Sequence, residues 1–174
     1  MLIVLASFIP YDETVHGKEL FELNVEYMTY LREAGKKSGF GHSHSVLDHP
    51  REYIESTFHE LSTIKPSEGI VYILEVDGKV AGMGALRKLE EGVGEIKRMY
   101  NRPEYQGKGY GKQMVAKLLD KARELGYHTV RLDTANFLEA AIHVYKAAGF
   151  KEREKYPGTE SAGDSYSIYM EKKL

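Results

Sequence analysis

Apolar residues recur at helical spacing in the first third of the chain. Over residues 15–34 they stand three and four positions apart, which predicts an amphipathic helix that ends at Gly35. Residues 35–50 are rich in Gly, Ser and His and predict a loop. The helical spacing then returns and predicts a second helix over residues 51–64. A short apolar run within residues 1–13 predicts a first or edge strand.

The middle of the chain predicts strands. Two runs rich in β-branched and aliphatic residues lie within residues 69–89 and flank Asp77-Gly78, a dipeptide typical of a tight hairpin turn with positive φ. Residues 93–100, "VGEIKRMY", predict another strand directly after this hairpin.

The remainder of the chain alternates between helix and strand. Residues 111–126 carry a clear apolar face and end in Gly126, the expected left-handed cap of a helix. The later segments predict a strand, a short helix ending at Gly149 and two final strands, over residues 128–134, 136–148, 150–156 and 164–174. Strands on both sides of a strand–helix–strand unit predict a mixed α/β or α+β sheet in one domain, residues 1–174.

Composition narrows the classes of function. The 174 residues contain no cysteine, which excludes a disulfide framework, a thiolate nucleophile and a cysteine-held metal site, and fits a reducing cytoplasm. The formal net charge is −2 and no basic block stands out, so we expect neither nucleic acid nor a membrane as a partner. The apolar run at the start has no basic region before it, so we do not expect a signal peptide.

Three glycines occupy every second position in the stretch "PEYQGKGYGK", residues 103–112, directly before the clearest helix. The first N–H groups of a helix lack intrahelical partners and the dipole is positive there, so an anion binds where the backbone can approach it. Glycine permits this approach because it has no Cβ. We therefore expect a seat for a phosphate, although a solvated turn with nothing bound is the alternative. The residues expected to contribute are Gly107, Gly109, Gly111, Lys108 and Lys112.

Two nucleotide-binding patterns fit this stretch less well. A triphosphate-binding loop needs G-x-x-x-x-G-K-[ST], which does not occur here. A dinucleotide fingerprint needs G-x-G-x-x-G, and Gly107 and Gly109 fit it, but Lys112 stands at the third position. Asp133, at the end of the next strand, lies where a ribose-binding acid would be. A nucleotide-dependent oxidoreductase domain is the weaker interpretation, because one crossover unit is too little for a doubly wound sheet.

Three motifs, taken in order, resemble the GNAT superfamily of acyl-CoA-dependent N-acyltransferases. Residues 106–111, "QGKGYG", match its Q/R-x-x-G-x-G/A signature. Residues 95–105, "EIKRMYNRPEY", are similar to its fourth strand, and residues 140–150, "AAIHVYKAAGF", to its A-x-x-x-Y-x-x-x-G-F element. The resemblance implies a single N-acetyltransferase domain with a mixed, twisted sheet of about seven strands, flanked by helices and split between strands 4 and 5.

The resemblance also implies acetyl-CoA as co-substrate, bound in the gap between those two strands, and no metal. The pantetheine arm is expected to pair with the edge of the fourth strand as an added strand does. Its expected backbone partners are Met99, Tyr100 and Asn101. Leu138 replaces an Asn frequent in the family, so Thr134 or Asn136 is expected to supply that contact. The residues expected to hold the pyrophosphate are Gln106, Gly107, Lys108, Gly109, Tyr110, Gly111 and Lys112.

Acyl transfer to an amine requires an unprotonated amine, a stabilised oxyanion and a proton for the departing thiolate. Tyr145 stands at the family's tyrosine position and is the candidate proton donor, with a core tyrosine as the alternative. Glu95 lies mid-strand and is the candidate base. The alternatives are an ion pair of Glu95 with Lys97 or Arg98, and water as the base. A backbone N–H near Asn101 is the expected partner of the oxyanion.

These residues predict direct transfer of an acetyl group to a primary amine of a small molecule or peptide in a ternary complex, since no cysteine can form an acyl-enzyme. A non-catalytic acyl-CoA-binding module is the alternative. We expect a cytoplasmic enzyme, and because dimers are common in the family a homodimer is one of the assemblies to test. Four histidines lie close in sequence, but their spacing matches no common metal site. They are His42, His44, His49 and His59.

Overall fold

The computed structural model describes residues 5–40, 46–161 and 164–174, and these form seven strands and four α-helices. The strands are β1 (Ala6–Pro10), β2 (Ile70–Val76), β3 (Lys79–Glu90), β4 (Val93–Asn101), β5 (Thr129–Ala135), β6 (Lys151–Arg153) and β7 (Ser167–Lys173). The helices are α1 (Glu13–Lys37), α2 (Pro50–Ser62), α3 (Tyr110–Glu124) and α4 (Glu139–Ala147). Short 3-10 turns lie at Val46–Asp48 and Pro103–Tyr105.

The strands form one mixed sheet in the order β1-β2-β3-β4-β5-β7-β6. Neighbouring strands are antiparallel except β4 and β5, which run parallel. This parallel pairing covers three positions only, from Val93↔Thr129 to Glu95↔Arg131, so the two strands separate beyond Glu95. The predicted mixed sheet with a split between strands 4 and 5 is confirmed.

Apolar side chains bury both faces of the sheet. The amphipathic helix α3 packs on one face and buries Met114 and Leu118 completely. Helix α1 packs on the other face, where Leu20 and Leu23 lie against Ile73 of β2. Burial of each such side chain contributes roughly 1.5–3 kcal/mol to folding. The split therefore lies in a sheet that is covered by helices on both sides.

Local turn chemistry explains where several elements end. Asp77 and Gly78 have φ of 51° and 74°, as predicted for the hairpin turn, and the φ of 77° at Gly126 confirms the predicted cap of α3. The prediction that α1 ends at Gly35 is wrong, since the helix continues to Lys37. Gly39, with a φ of 83°, supplies the left-handed residue that ends it.

Helix α4 begins later than predicted. The sequence pattern predicted its start at Asn136, whereas the helix starts at Glu139. The Asn136 N–H donates to the Tyr166 carbonyl at 2.8 Å, which continues the pairing of β5 with the chain before β7. Sheet pairing therefore holds this backbone extended and delays the helix by three residues.

Candidate active site

The loop between β4 and α3 leaves the first N–H groups of the helix open. Gly107 and Gly109 have φ of 71° and 83°, a left-handed conformation that glycine adopts readily. Gly109 is the N-cap of α3, and no side chain among the described residues caps this helix. A Cβ added at either glycine would meet no atom within 4 Å. The backbone therefore meets the geometric requirement for a pyrophosphate seat.

Side chains at the edge of this loop hold its shape. The Gln106 side-chain amide donates to the Asn101 carbonyl at 2.8 Å, which closes the turn after β4. The Lys108 ammonium lies over the Tyr105 ring, 5.6 Å from its centroid. Gly111 lies inside the first turn of α3, where its N–H points with the others toward the open end of the helix.

A cavity of about 680 Å³ opens where β4 and β5 separate. Its walls come from these two strands, from α1, α2 and α4, and from the chain just before β7. Met99, Thr134 and Tyr145 line it, so three of the predicted site residues meet in one place. The Tyr100 side chain instead packs against Tyr27 of α1, with ring centroids 5.8 Å apart.

Asp133 of β5 also lines this cavity. Burial, together with the charges of Glu95 and Glu160, raises the pKa of Asp133 to about 6, although a hydrogen bond from the Thr159 side chain and the charge of Lys97 oppose the shift. A carboxylate with this pKa is largely ionised at neutral pH, and its pKa is close to the ideal value for a general base.

Tyr145 of α4 combines a packed ring with a hydroxyl at the cavity. The ring is 6% exposed and packs edge-on against Phe150. Within the described part of the chain the hydroxyl has no hydrogen-bond partner. Burial raises its pKa, and the nearby Tyr27 and Asp133 raise it further, so the phenol keeps its proton. The core position and the proposed catalytic position are therefore compatible.

Glu95 lies beside the cavity and not in its lining. Its side chain is 0% exposed and both carboxylate oxygens accept hydrogen bonds, from Arg87 Nε at 2.6 Å and from the Tyr156 hydroxyl at 2.9 Å. The alternative of an ion pair between Glu95 and Lys97 or Arg98 is wrong in its partner, because Glu95 is paired with Arg87, which stands directly opposite it in the β3–β4 register. The geometry thus gives Glu95 no direct access to a substrate amine.

Lys97 and Arg98 both contact Glu160 instead. The Lys97 ammonium and the Glu160 carboxylate form an ion pair, and Arg98 Nη2 lies 3.1 Å from the other Glu160 oxygen. All three residues line the cavity. Burial alone would raise the pKa of Glu160, but the charges of Arg98 and Lys97 outweigh it and lower that pKa. Glu160 therefore stays ionised at neutral pH, whereas Asp133, with a pKa of about 6, can accept and release a proton.

The remaining predicted residues are not in the lining of the cavity or lie outside the described chain. The Asn136 side chain is exposed. His42 and His44 lie outside the described residues. In the ranges 5–40, 46–161 and 164–174, no group of three or more His, Asp or Glu side chains is placed to hold a metal ion.

Comparison with known proteins identifies the family. Residues 20–150 match the model of the acetyltransferase (GNAT) family. The chain belongs to this family. The resemblance carried by three short motifs is thereby confirmed, and with it the class of enzyme, a GNAT N-acetyltransferase.

Individual relatives agree with this assignment. The IAA acetyltransferase of Azospirillum brasilense is 30% identical over 116 residues, which cover 66% of this chain and 74% of the relative. The uncharacterized N-acetyltransferase YjgM of Escherichia coli K12 is 33% identical over 96 residues, 53% of this chain, and the chain spans 58% of its length. The PaiA N-acetyltransferase of Thermoplasma acidophilum, solved with coenzyme A, has a TM-score of 0.67 over 99% of this chain and 100% of that one. Its 17% identity makes this a likeness of fold.

Sequence reasoning missed the charged residues of the cavity. Asp133 was considered only as a ribose-binding acid, and Glu160 was not singled out. Asp133 lies in β5 between the buried Leu132 and the partly buried Thr134. A carboxylate at such a position is costly unless it has a partner or a function. That pattern was the available signal for Asp133, whereas Glu160 lies in an irregular segment with no periodicity.

Proposed function

We propose that this GNAT enzyme transfers the acetyl group of acetyl-CoA directly to a primary amine of a small molecule or peptide in a ternary complex. One observation carries the proposal: Asp133 and Tyr145 line the same cavity at the split, Asp133 with a pKa raised to about 6 and Tyr145 with its proton retained. Two groups whose environments suit opposite proton transfers are the usual mark of an acid–base pair. The same cavity reaches the edge of β4, where the pantetheine arm is expected.

The two residues have distinct tasks. An Asp133 carboxylate oxygen accepts the proton that the amine must lose before it can attack. The Tyr145 hydroxyl donates its proton to the departing sulfur and is protected from ionisation until then by burial. Acetyl-CoA supplies the activated thioester when bound. Glu95, named as the base from sequence, is assigned a positioning role through Arg87 and Tyr156.

Backbone groups would hold the co-substrate. The N–H groups from Gly107 to Lys112 fit the pyrophosphate, because the glycine turn is open and the helix is uncapped by the described side chains. The unpaired edge of β4 beyond Glu95 suits an extended pantetheine arm. The backbone at Met99, Tyr100 and Asn101 and the side chain of Thr134 stay predicted contacts.

The test is release of CoA in the presence of a library of primary amines, with mass detection of the acetylated product. We expect turnover with at least one amine and a kcat/KM that falls below pH 6 as Asp133 becomes protonated. Tight binding of acetyl-CoA without any turnover would favour the alternative of a non-catalytic acyl-CoA-binding module.

The number of domains, the cellular location and the oligomeric state belong to the same proposal. Strands from Ala6 to Lys173 join one sheet, which supports a single domain over residues 1–174. No helix in the described ranges is both long enough and apolar enough to cross a membrane. We place the enzyme in the cytoplasm because the chain lacks cysteine. Sedimentation would establish whether the enzyme is a homodimer.

A further inference from the structure

Strand β4 contains a bulge that turns two consecutive cationic side chains toward one cavity. Ala85 pairs with Lys97 and Met83 with Tyr100, so a single residue of β3 faces two residues of β4. Arg98 has a φ of 55°, a conformation uncommon for a bulky residue. Successive side chains of a regular strand point to opposite faces, whereas Lys97 and Arg98 both line the cavity.

These two cations share one acid. The Lys97 and Arg98 side chains are 8% and 7% exposed, and both contact Glu160. Glu95, the next carboxylate along β4, is already paired with Arg87. Among the described residues one carboxylate therefore contacts both cations, and Asp133 lines the same cavity without touching either, so one buried positive charge lacks a counter-charge in contact with it, which is costly. A ligand that brings a negative charge would offset that cost.

Arg98 keeps donor capacity on the cavity side. Its Nη2 donates to Glu160 at 3.1 Å, while its Nη1 donates to the Met28 sulfur at 3.2 Å, which is a weak acceptor. The guanidinium lies over the Tyr53 ring, 5.6 Å from the centroid, and this contact fixes its plane. A carboxylate oxygen at Nη1 would replace the weak bond by a charge-assisted one, roughly twice as strong as a neutral bond.

The opposite wall carries the opposite charge. Asp133 of β5 faces the cavity that Lys97 and Arg98 line from β4, and the charge of Lys97 acts on Asp133 across it. A ligand that complements both walls has an ammonium group for the acid and a carboxylate for the cations. The rest of the lining is partly apolar and would cover a side chain, through residues such as Met28, Leu31, Leu47 and Leu138.

We propose that Lys97 and Arg98 bind the carboxylate of the acceptor, and hence that the acceptor is an amino acid. This assignment deepens the proposed function and rests on it, because Asp133 must be the group that takes the proton from the amine. The bulge of β4 is then a device for substrate selection: it supplies two cations where a regular strand would supply one.

The first test compares each amino acid with its own carboxamide, which keeps the amine and the side chain but lacks the negative charge. Release of CoA is measured for the twenty proteinogenic amino acids and for the amides of those that react. We expect the best amino acid to exceed its amide in kcat/KM by about 100-fold or more. The amine of an amide is the less basic, so ease of proton loss favours the amide and cannot cause this preference.

Variants assign the preference to named residues. In Arg98→Gln the ratio of kcat/KM for acid and amide should fall below about ten, because the guanidinium donors are lost. Lys88→Gln removes an exposed cation of β3 that is paired with Glu91, and should leave the ratio unchanged. If Arg98→Gln fails to fold, Lys97→Gln takes its place. Equal use of acid and amide by the wild type, or an unchanged ratio in a folded Arg98→Gln, would overturn the assignment.

Glu160→Gln should increase the preference for the amino acid over its amide, in contrast to Arg98→Gln. Removal of the carboxylate that competes for the two cations should lower KM for the amino acid by about 3- to 10-fold, with little change for the amide. If Glu160 instead binds the ammonium group of the acceptor, Glu160→Gln should raise KM for both the amino acid and the amide. That result would also overturn the assignment.

A binding measurement separates this proposal from the proposed function. Calorimetric titration with N-acetyl-L-amino acids, the expected products, requires neither acetyl-CoA nor turnover. We expect at least one to bind the wild type and to lose tenfold or more in affinity in Arg98→Gln. That result in a protein without transfer activity would uphold the carboxylate site while removing the proposed reaction. Binding of none of them would overturn the site.

Discussion

The two sides of the split sheet are built in different ways. The side expected to bind acetyl-CoA uses backbone atoms from one continuous stretch, residues 99–112. The acceptor side assembles side chains from α1, α2, β4, β5, α4 and the chain before β7. The backbone conformation of Gly107 and Gly109 shapes the side expected to bind acetyl-CoA. The balance of buried charges shapes the acceptor side. A local sequence motif is sufficient for one, whereas the other exists only once the chain has folded.

Two carboxylates within the acceptor side sharpen the contrast. Asp133 and Glu160 line the same cavity, yet burial raises the pKa of the first to about 6 while the pKa of the second is lowered. The difference lies in their partners, because Glu160 touches Lys97 and Arg98 and Asp133 touches no cation so closely. Position relative to the β4 bulge thus separates a proton acceptor from a fixed charge.

Asp133→Asn is the strongest test of the acceptor side. Turnover should fall by roughly 10²–10⁴, the usual range for losing a general base, and the loss of activity below pH 6 should vanish with it. Stability should change in the other direction. The raised pKa means that the ionisation of Asp133 destabilises the fold: the penalty is absent below about pH 3.8, where the group is protonated in both states, grows as the pH rises through 5, and is complete above about pH 6.

Removing the carboxylate should therefore stabilise the protein at pH 8 by about 1–3 kcal/mol, from a pKa shift of about two units discounted for partial exposure. Steady-state kinetics and urea unfolding at pH 5 and pH 8 provide the measurements. Wild-type turnover in Asp133→Asn would remove Asp133 from the chemistry.

Tyr145→Phe tests the proton donor. The ring and its packing on Phe150 remain, but the proton is lost, so turnover should fall by roughly 10²–10³ while KM for acetyl-CoA changes much less. Stability should move by only about 1 kcal/mol, the scale of one hydroxyl group. Near-equal turnover numbers for variant and wild type would leave Tyr145 as a core residue.

Gly109→Val tests the cofactor side. A branched side chain at a φ of 83° is strained by about 1–2 kcal/mol, and its atoms would enter the open space at the helix end. We expect affinity for CoA to fall by about 100-fold in calorimetry. Gly126→Val is the matched control, since Gly126 has a φ of 77° and equally open space at the other end of α3. Equal CoA affinity in both variants would contradict the phosphate seat.

The contrast between the two sides also explains what the sequence could predict. The predictions of the hairpin turn and of α3 with its cap are confirmed because each depends on neighbours within a few residues, and the phosphate seat stays a prediction of the same local kind. Glu95 was a reasonable candidate base, but its true partner Arg87 became visible only in the β3–β4 register. Glu160 contacts Lys97 and Arg98 from 62 or more positions away along the chain, Asp133 lines the same cavity, and no local pattern encodes such an arrangement.

Glu95→Gln should have the smallest effect on turnover, within about tenfold, because its carboxylate lies outside the cavity lining. Its cost is to stability. The change leaves Arg87 without its buried counter-charge, and breaking such a pair typically costs 3–5 kcal/mol. Arg87 keeps a bond to the Gly158 carbonyl at 2.7 Å and its side chain is 25% exposed, so we expect about 2–3 kcal/mol. Urea unfolding and CoA release are the measurements, made beside those on Asp133→Asn.

Replacing a carboxylate by its amide should then give opposite results at the two positions. At Asp133 the activity is lost and the protein becomes more stable, whereas at Glu95 the activity is kept and the protein becomes less stable. A large loss of turnover with normal stability in Glu95→Gln would restore Glu95 as the base and make Asp133 the structural residue.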